Sequence, residues 1–215
     1  LAITYTIFSR HFSGQMKSYA LYLFIGLVTT NFFTVGTTYA LDTFKRSRDL
    51  ALNSLIPRES LVLAELLVHL KKYLIEITIC IFFSVYLGLF NLPAFLLILV
   101  LVFSLFLLIL GVGCVLLLMN SFISDIAHVW SLASRLFFFI TPVFYSLEDI
   151  GPWAAKVVYW LNPLTPIIIA IRECLINTGS IEIAVVVHAI VIGIISFIVG
   201  YGLFVKYQDL LVERI

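Results

Sequence analysis

Charge is what this sequence has least of. Lysine, arginine, aspartate and glutamate make up 12% of the 215 residues, about half the usual share of a soluble domain. Thirteen basic residues against twelve acidic ones leave a formal charge of +1, which excludes the broad positive surface that nucleic-acid binding needs. Cysteine is scarce too. Cys80, Cys114 and Cys174 stand far apart, in or beside apolar segments and without a C-x-x-C pair, so they read as inert packing residues and offer no metal or redox chemistry. A G-x-x-x-x-G-K-[ST] phosphate loop is missing, which excludes the ATP-binding subunit of a transporter. The pairs Gly111/Gly113 and Gly200/Gly202 lack the third glycine of a dinucleotide fingerprint and lie in apolar runs, where small residues let helices approach. His11, His69, His128 and His188 have no metal-ligand spacing, and no serine sits in a G-x-S-x-G elbow. The only adjacent acidic pair is Glu148-Asp149, too little for the metal-diphosphate cluster of a membrane-embedded transferase. No catalytic residue and no metal site are assigned.

Apolar residues fill the space that charge leaves. They account for 62% of the chain, and the mean hydropathy is +1.15, so lipid is the expected solvent. The chain reads as one all-α transmembrane domain over residues 1–215. Residues 1–8 are too short an apolar run to cross a bilayer and read as the end of a first helix whose remainder lies upstream. They lack the order of a signal peptide. Five longer stretches follow, at residues 19–41, 61–90 (a more polar run to Lys72 at the interface, then the apolar span from Tyr73), 94–119, 129–147 and 183–205, giving six spans in all. The turn Asn91-Leu92-Pro93 makes the second and third long stretches a helical hairpin. Thr141-Pro142 kinks or ends the fourth, because proline removes a backbone donor.

Basic residues orient the spans. Lys45, Arg46, Arg48 and Arg58 cluster in the connection at residues 42–60, with Lys71 and Lys72 close behind, which places that connection in the cytoplasm. Alternation puts residues 148–182 outside. Within residues 43–55, Phe44, Leu50, Leu52 and Leu55 alternate with charged and polar residues, and Pro57 is preset to open the next helix. The pattern is a short amphipathic helix. It serves either as an interfacial helix on anionic lipid or as a docking surface for a cytoplasmic partner.

The outer segment holds two apolar runs, 153–161 and 167–176, each too short to cross. Asn162-Pro163-Leu164-Thr165-Pro166 breaks them apart. Such a broken pair re-enters the membrane where it is buried in protein or lines a wet cavity, and it reads as either a lid over a pathway or a rigid cap. Two ionisable residues fall inside spans, where facing lipid costs at least about 2.5 kcal/mol. Glu76 is spaced to pair with Lys72. Arg135 has no local partner and snorkels, pairs across helices or meets an anionic substrate group, in that order of preference. Aromatics are abundant, among them Phe32, Phe33, Tyr39, Phe138, Phe144 and Tyr145. They suit a conduit on which sugar rings slide, although packing and interfacial belts account better for each one taken singly.

Three motifs carry a family resemblance: Asn53-Ser54-Leu55-Ile56-Pro57-Arg58-Glu59, Thr141-Pro142-Val143-Phe144-Tyr145, and Asn162-Pro163-Leu164-Thr165-Pro166 followed by Arg172-Glu173. In order and spacing they resemble the type-2 ABC permeases that export polysaccharides such as O-antigen, capsule or teichoic acid. One departure is Ser124-Asp125, where the family usually has Arg-Asp. The resemblance implies a six-helix exporter permease with a cytoplasmic coupling helix and outer re-entrant helices, located in the cytoplasmic membrane. It implies a second copy of the chain, two separate ATP-binding subunits carrying the ATP and magnesium, and a lipid-linked glycan as cargo. Docking of the ATPase then falls to Lys45, Arg46, Arg48, Asp49, Leu50, Asn53, Leu55, Pro57 and Arg58. The outer gate falls to Pro152, Trp153, Trp160, Asn162, Pro163, Pro166 and Arg172. Rival expectations are a type-2 exporter of drugs or lipids, a membrane enzyme acting on a polyprenyl lipid, and a structural subunit.

Overall fold

A computed structural model describes residues 18–47, 57–89, 91–123, 125–176 and 181–212. Seven α-helices and one short 3-10 turn make up the described residues, and no strand occurs among them. In chain order the helices are α1 (Tyr19–Arg46), α2 (Arg58–Tyr86), α3 (Leu92–Phe122), α4 (Ile126–Ile140), α5 (Pro152–Leu161), α6 (Leu164–Ile176) and α7 (Ile183–Val212). The 3-10 turn, Leu147–Asp149, precedes α5.

Proline and glycine set most of the boundaries. α2 ends at Tyr86, two residues before Gly88, whose φ of +71° places it in the left-handed region that favours glycine. There the Gly88 N–H donates to the Val85 carbonyl and the Leu89 N–H to the Ser84 carbonyl, each at 3.0 Å, closing the helix in a Schellman motif. α4 stops at Ile140 because the following Pro142 holds Thr141 extended, at φ −69° and ψ 136°. Residues 141–146 therefore run as non-helical backbone, where a span over 129–147 is expected from hydropathy. α5 and α6 meet at Asn162-Pro163 with a bend of 101°.

α1, α3 and α7 are long and apolar enough to cross a membrane, and the bent pair α5 and α6 brings the number to four if it counts as one span. The two other expected spans differ for separate reasons. α2 has 29 residues, enough to cross, but Glu65, Lys71, Lys72 and Glu76 dilute its apolar character. α4 has 15 residues and is about 22 Å long, short of the ~30 Å hydrocarbon layer. α1 also runs past residue 41 to Arg46, so residues 43–46 extend a span and do not begin a separate amphipathic helix.

The core lies where α1, α3 and α6 meet, and the largest helix contact is between α3 and α7. α6 is buried along most of its length, whereas α4 and α5 contribute no fully buried residue. Threonines stud α1 without exposing unpaired hydroxyls: Thr30, Thr34, Thr37, Thr38 and Thr43 each donate to the carbonyl one turn earlier. Serines do the same between helices, from Ser84 to the Leu175 carbonyl at 2.6 Å and from Ser104 to the Ala189 carbonyl at 2.7 Å. The three cysteines are free and buried.

Candidate functional site

Tyr19 and Tyr22 open α1 three residues apart, so both phenols leave the same face of the helix. Tyr22 donates to the Tyr145 carbonyl at 2.8 Å and Tyr19 to the Phe144 carbonyl at 3.3 Å. These carbonyls belong to the stretch that Pro142 keeps out of helix, so they have no helical partner of their own and need donors from elsewhere.

Arg172, on α6, supplies the rest. Its Nε donates to the Tyr22 carbonyl at 3.2 Å, Nη1 to the Pro142 carbonyl at 2.6 Å and Nη2 to the Val143 carbonyl at 2.9 Å. The guanidinium also lies 3.4 Å from the centre of the Tyr22 ring. The residue is only 5% exposed, and no carboxylate pairs with it among the described residues. Its charge is instead held by carbonyl dipoles and an aromatic face. Gly26 leaves the necessary room, since a Cβ there would sit 2.5 Å from Nη2. A parallel link runs from Asn162 Nδ2 to Thr141 Oγ1 at 2.8 Å, while Asn162 Oδ1 accepts from the Leu164 N–H at 3.0 Å. The Thr-Pro-Val-Phe-Tyr and Asn-Pro-Leu-Thr-Pro motifs, some twenty residues apart in sequence, are thus two halves of one polar clamp joining α1, the end of α4 and α6.

A cavity of about 550 Å³ opens beside the clamp, with Tyr22, Tyr159, Arg172 and the carboxylates Glu148, Glu173 and Glu182 on its wall. The expected gate residues divide around it. Arg172, Asn162 and Pro166 are buried in the clamp and in α6, and Pro163 forms the corner. Pro152 opens α5, Trp153 is exposed, and Trp160 packs against His188 of α7 at 4.7 Å between ring centres.

At the opposite end of α1, Lys45 Nζ donates to Asn120 Oδ1 at 3.5 Å, and Arg46 lies 3.8 Å from the Tyr39 ring centre while pairing with Asp42 at 3.9 Å. Both cations stand on the last turn of a helix, where its dipole favours positive charge. Pro57 and Arg58 begin α2. Arg48, Asp49, Leu50, Asn53 and Leu55 lie outside the described residues.

The expected conduit aromatics lie in several different surroundings. Phe32 and Phe33 are buried, Phe32 stacked on Tyr73 at 4.6 Å and Phe33 against Phe137 at 5.2 Å. The helical period turns both toward α2 and α4, so they are packing residues. Tyr39 lies between Arg46 and His69. Phe138 lines an open groove and Phe144 meets it edge-on at 5.5 Å, while Tyr145 donates to the Ile140 carbonyl at 2.6 Å. Sequence reasoning missed Tyr19 and Tyr22, and it took Thr141 as part of a kink and a motif without its bond to Asn162. The tyrosines look like an interfacial belt, and nothing local indicates a partner 150 positions away.

Tyr22→Phe removes one hydrogen bond but keeps the ring under Arg172, whereas Tyr22→Leu removes both. The expected cost is about 1 kcal/mol for phenylalanine and about 1 kcal/mol more for leucine, measured as thermal unfolding of the detergent-solubilised protein.

Comparison with known proteins follows the same segments. The sequence profile of the ABC-2 type transporter family matches residues 1–176, well over half of the chain. Two proteins from Klebsiella pneumoniae, each called O-antigen export system permease protein RfbA, are 25% and 24% identical over 213 residues, covering 96% of this chain and 79% of each relative.

Proposed function

Because this chain belongs to the ABC-2 type transporter family, we propose that it is the membrane-spanning permease of an ATP-driven exporter that carries a lipid-linked polysaccharide across the cytoplasmic membrane. The observation that carries the cargo is the similarity, over nearly the whole chain, to two O-antigen export permeases. Two copies of the chain form the conduit. Two separate ATP-binding subunits supply ATP and magnesium and dock at the end marked by Lys45 and Arg46, with residues 42–60 as the contact. In this reading the basic residues of that connection orient it toward the cytoplasm, and the clamp and the α5–α6 corner lie at the outer face as the gate.

The clamp suits that task on physical grounds. It ties the buried gate helix α6 to α1 and to the end of α4 by directed hydrogen bonds, so a movement of either helix is passed to α6 without first breaking an apolar core. α5 contributes no buried residue and is the part of the gate free to swing. Co-expression with the ATP-binding subunits tests the reading. Expected is a two-plus-two complex in detergent whose ATP turnover rises severalfold with lipid-linked glycan. Absence of a complex, or turnover indifferent to the glycan, refutes it.

A further inference from the structure

Among the described residues Arg135 is the one charge lining a groove between α1 and α4. It lines a cavity of about 290 Å³ with Thr34, Ser134, Phe138 and Phe139. Thr34 and Phe138 are shared with an adjoining cavity of about 320 Å³ that reaches Asn31. The side chain is exposed, and it has no hydrogen-bond or ion-pair partner among the described residues. It stands roughly 14 Å along α4 from Ile126 and 8 Å from Ile140, on an apolar helix where an unpaired cation facing lipid is unfavourable.

Among the described residues no carboxylate forms an ion pair with it. Neither cavity is lined by a carboxylate. Residues 1–17 contain no aspartate or glutamate. Of the acidic residues in the described helices, only Glu65 and Glu76 stand well away from a helix end, and Glu76, which lines a small separate cavity with Asn31, pairs with Lys72 at 3.9 Å. Around Arg135 the groove presents the amide of Asn31, which is exposed, and the ring of Phe138. A guanidinium in one cavity and an amide donor in the adjoining one, set among apolar walls, fit an anion of phosphate type attached to an apolar chain.

We propose that Arg135, with Asn31, binds the phosphate-bearing head of a lipid whose hydrocarbon tail lies along the apolar face of α4. The identity of that lipid as the carrier of the exported glycan rests on the function proposed above; the binding itself does not. Leu132, Leu136 and Phe139, each more than 60% exposed, supply the surface for the tail.

The test is binding of farnesyl diphosphate, against farnesol, to the full chain in detergent. The wild type should hold the diphosphate at least tenfold more tightly, a difference of about 1.4 kcal/mol. R135Q should abolish that preference, R135K should keep most of it, and Asn31→Ala should reduce it severalfold. R135K and Asn31→Ala keep the test open should R135Q fail to fold. Equal affinity for farnesol and farnesyl diphosphate overturns the inference, as does full retention of the preference in R135Q. Inorganic diphosphate competing as well as the lipid overturns the assignment to a lipid head. If R135Q and Glu76→Gln both weaken self-association, the arginine pairs with a second copy instead and the inference fails. None of these outcomes depends on export, so loss of the ATPase complex would refute the proposed function and leave the binding result standing.

Discussion

Arg172→Ala is expected to unfold the end of the bundle that carries α5 and α6, at a cost of about 3 kcal/mol or more. The estimate follows from what truncation leaves behind. Three carbonyls, those of Tyr22, Pro142 and Val143, lose their donor together, and hydrogen bonds from a charged group contribute about 1.5–3 kcal/mol each when the acceptors stay buried. Some of that is regained, because a membrane protein's loosened segments find other partners. Arg172→Lys keeps the charge but is not a mild change. An ammonium is a compact point charge and cannot reach three carbonyls spread around a planar fork. We expect it to recover less than half of the loss. Heating the solubilised protein and following the monodisperse fraction by size-exclusion chromatography would measure both variants. Wild-type stability in the alanine variant would show that the carbonyls are satisfied without the arginine.

Gly111→Ala is the second large effect. A Cβ at Gly111 would run into the Ser196 backbone of α7, and one at Gly200 would run into the Gly111 backbone in return. The obstacle is backbone on both sides, so no side chain can turn aside. The two helices must separate, and with them go the Ser104–Ala189 bond at 2.7 Å and the Ser196–Leu108 bond at 3.3 Å. Overpacking of this kind costs about 1–3 kcal/mol, and the upper end applies here. Gly202→Ala is the control, since a Cβ there meets nothing within 4 Å. Alanine at that position should be neutral or stabilising by up to about 1 kcal/mol, by restricting the unfolded chain and favouring helix. Equal melting temperatures for the Gly111 and Gly202 variants would contradict the close approach of α3 and α7.

Much of this could be read one segment at a time. The apolar runs that became α1, α3 and α7, the break at Asn162-Pro163 and the end of α4 before Pro142 all follow from local chemistry. The pairing of Lys72 with Glu76 follows from helical spacing, and their separation of 3.9 Å agrees with it. Other readings stay open in the sequence where a residue type has more than one use. Phe32 and Phe33 suit a conduit as well as a core, and only the packing of α2 and α4 against α1 shows which applies. Lys45 and Arg46 suit a loop as well as a helix end, and the turn they occupy depends on how far α1 stays packed against α3.

By itself the sequence determined what depends on composition and on neighbours a few positions apart: a lipid-facing chain, helices of given length, and the prolines that end them. The tertiary structure alone decided which distant groups answer one another. Pro142 leaves backbone carbonyls without helical partners, and any donor on any helix could in principle meet them. That Arg172 and the two tyrosines of α1 do so depends on the angle at which α6 turns back after the 101° corner. Such a contact has no period in the sequence, because the carbonyls that need a donor belong to the backbone and look the same at every position.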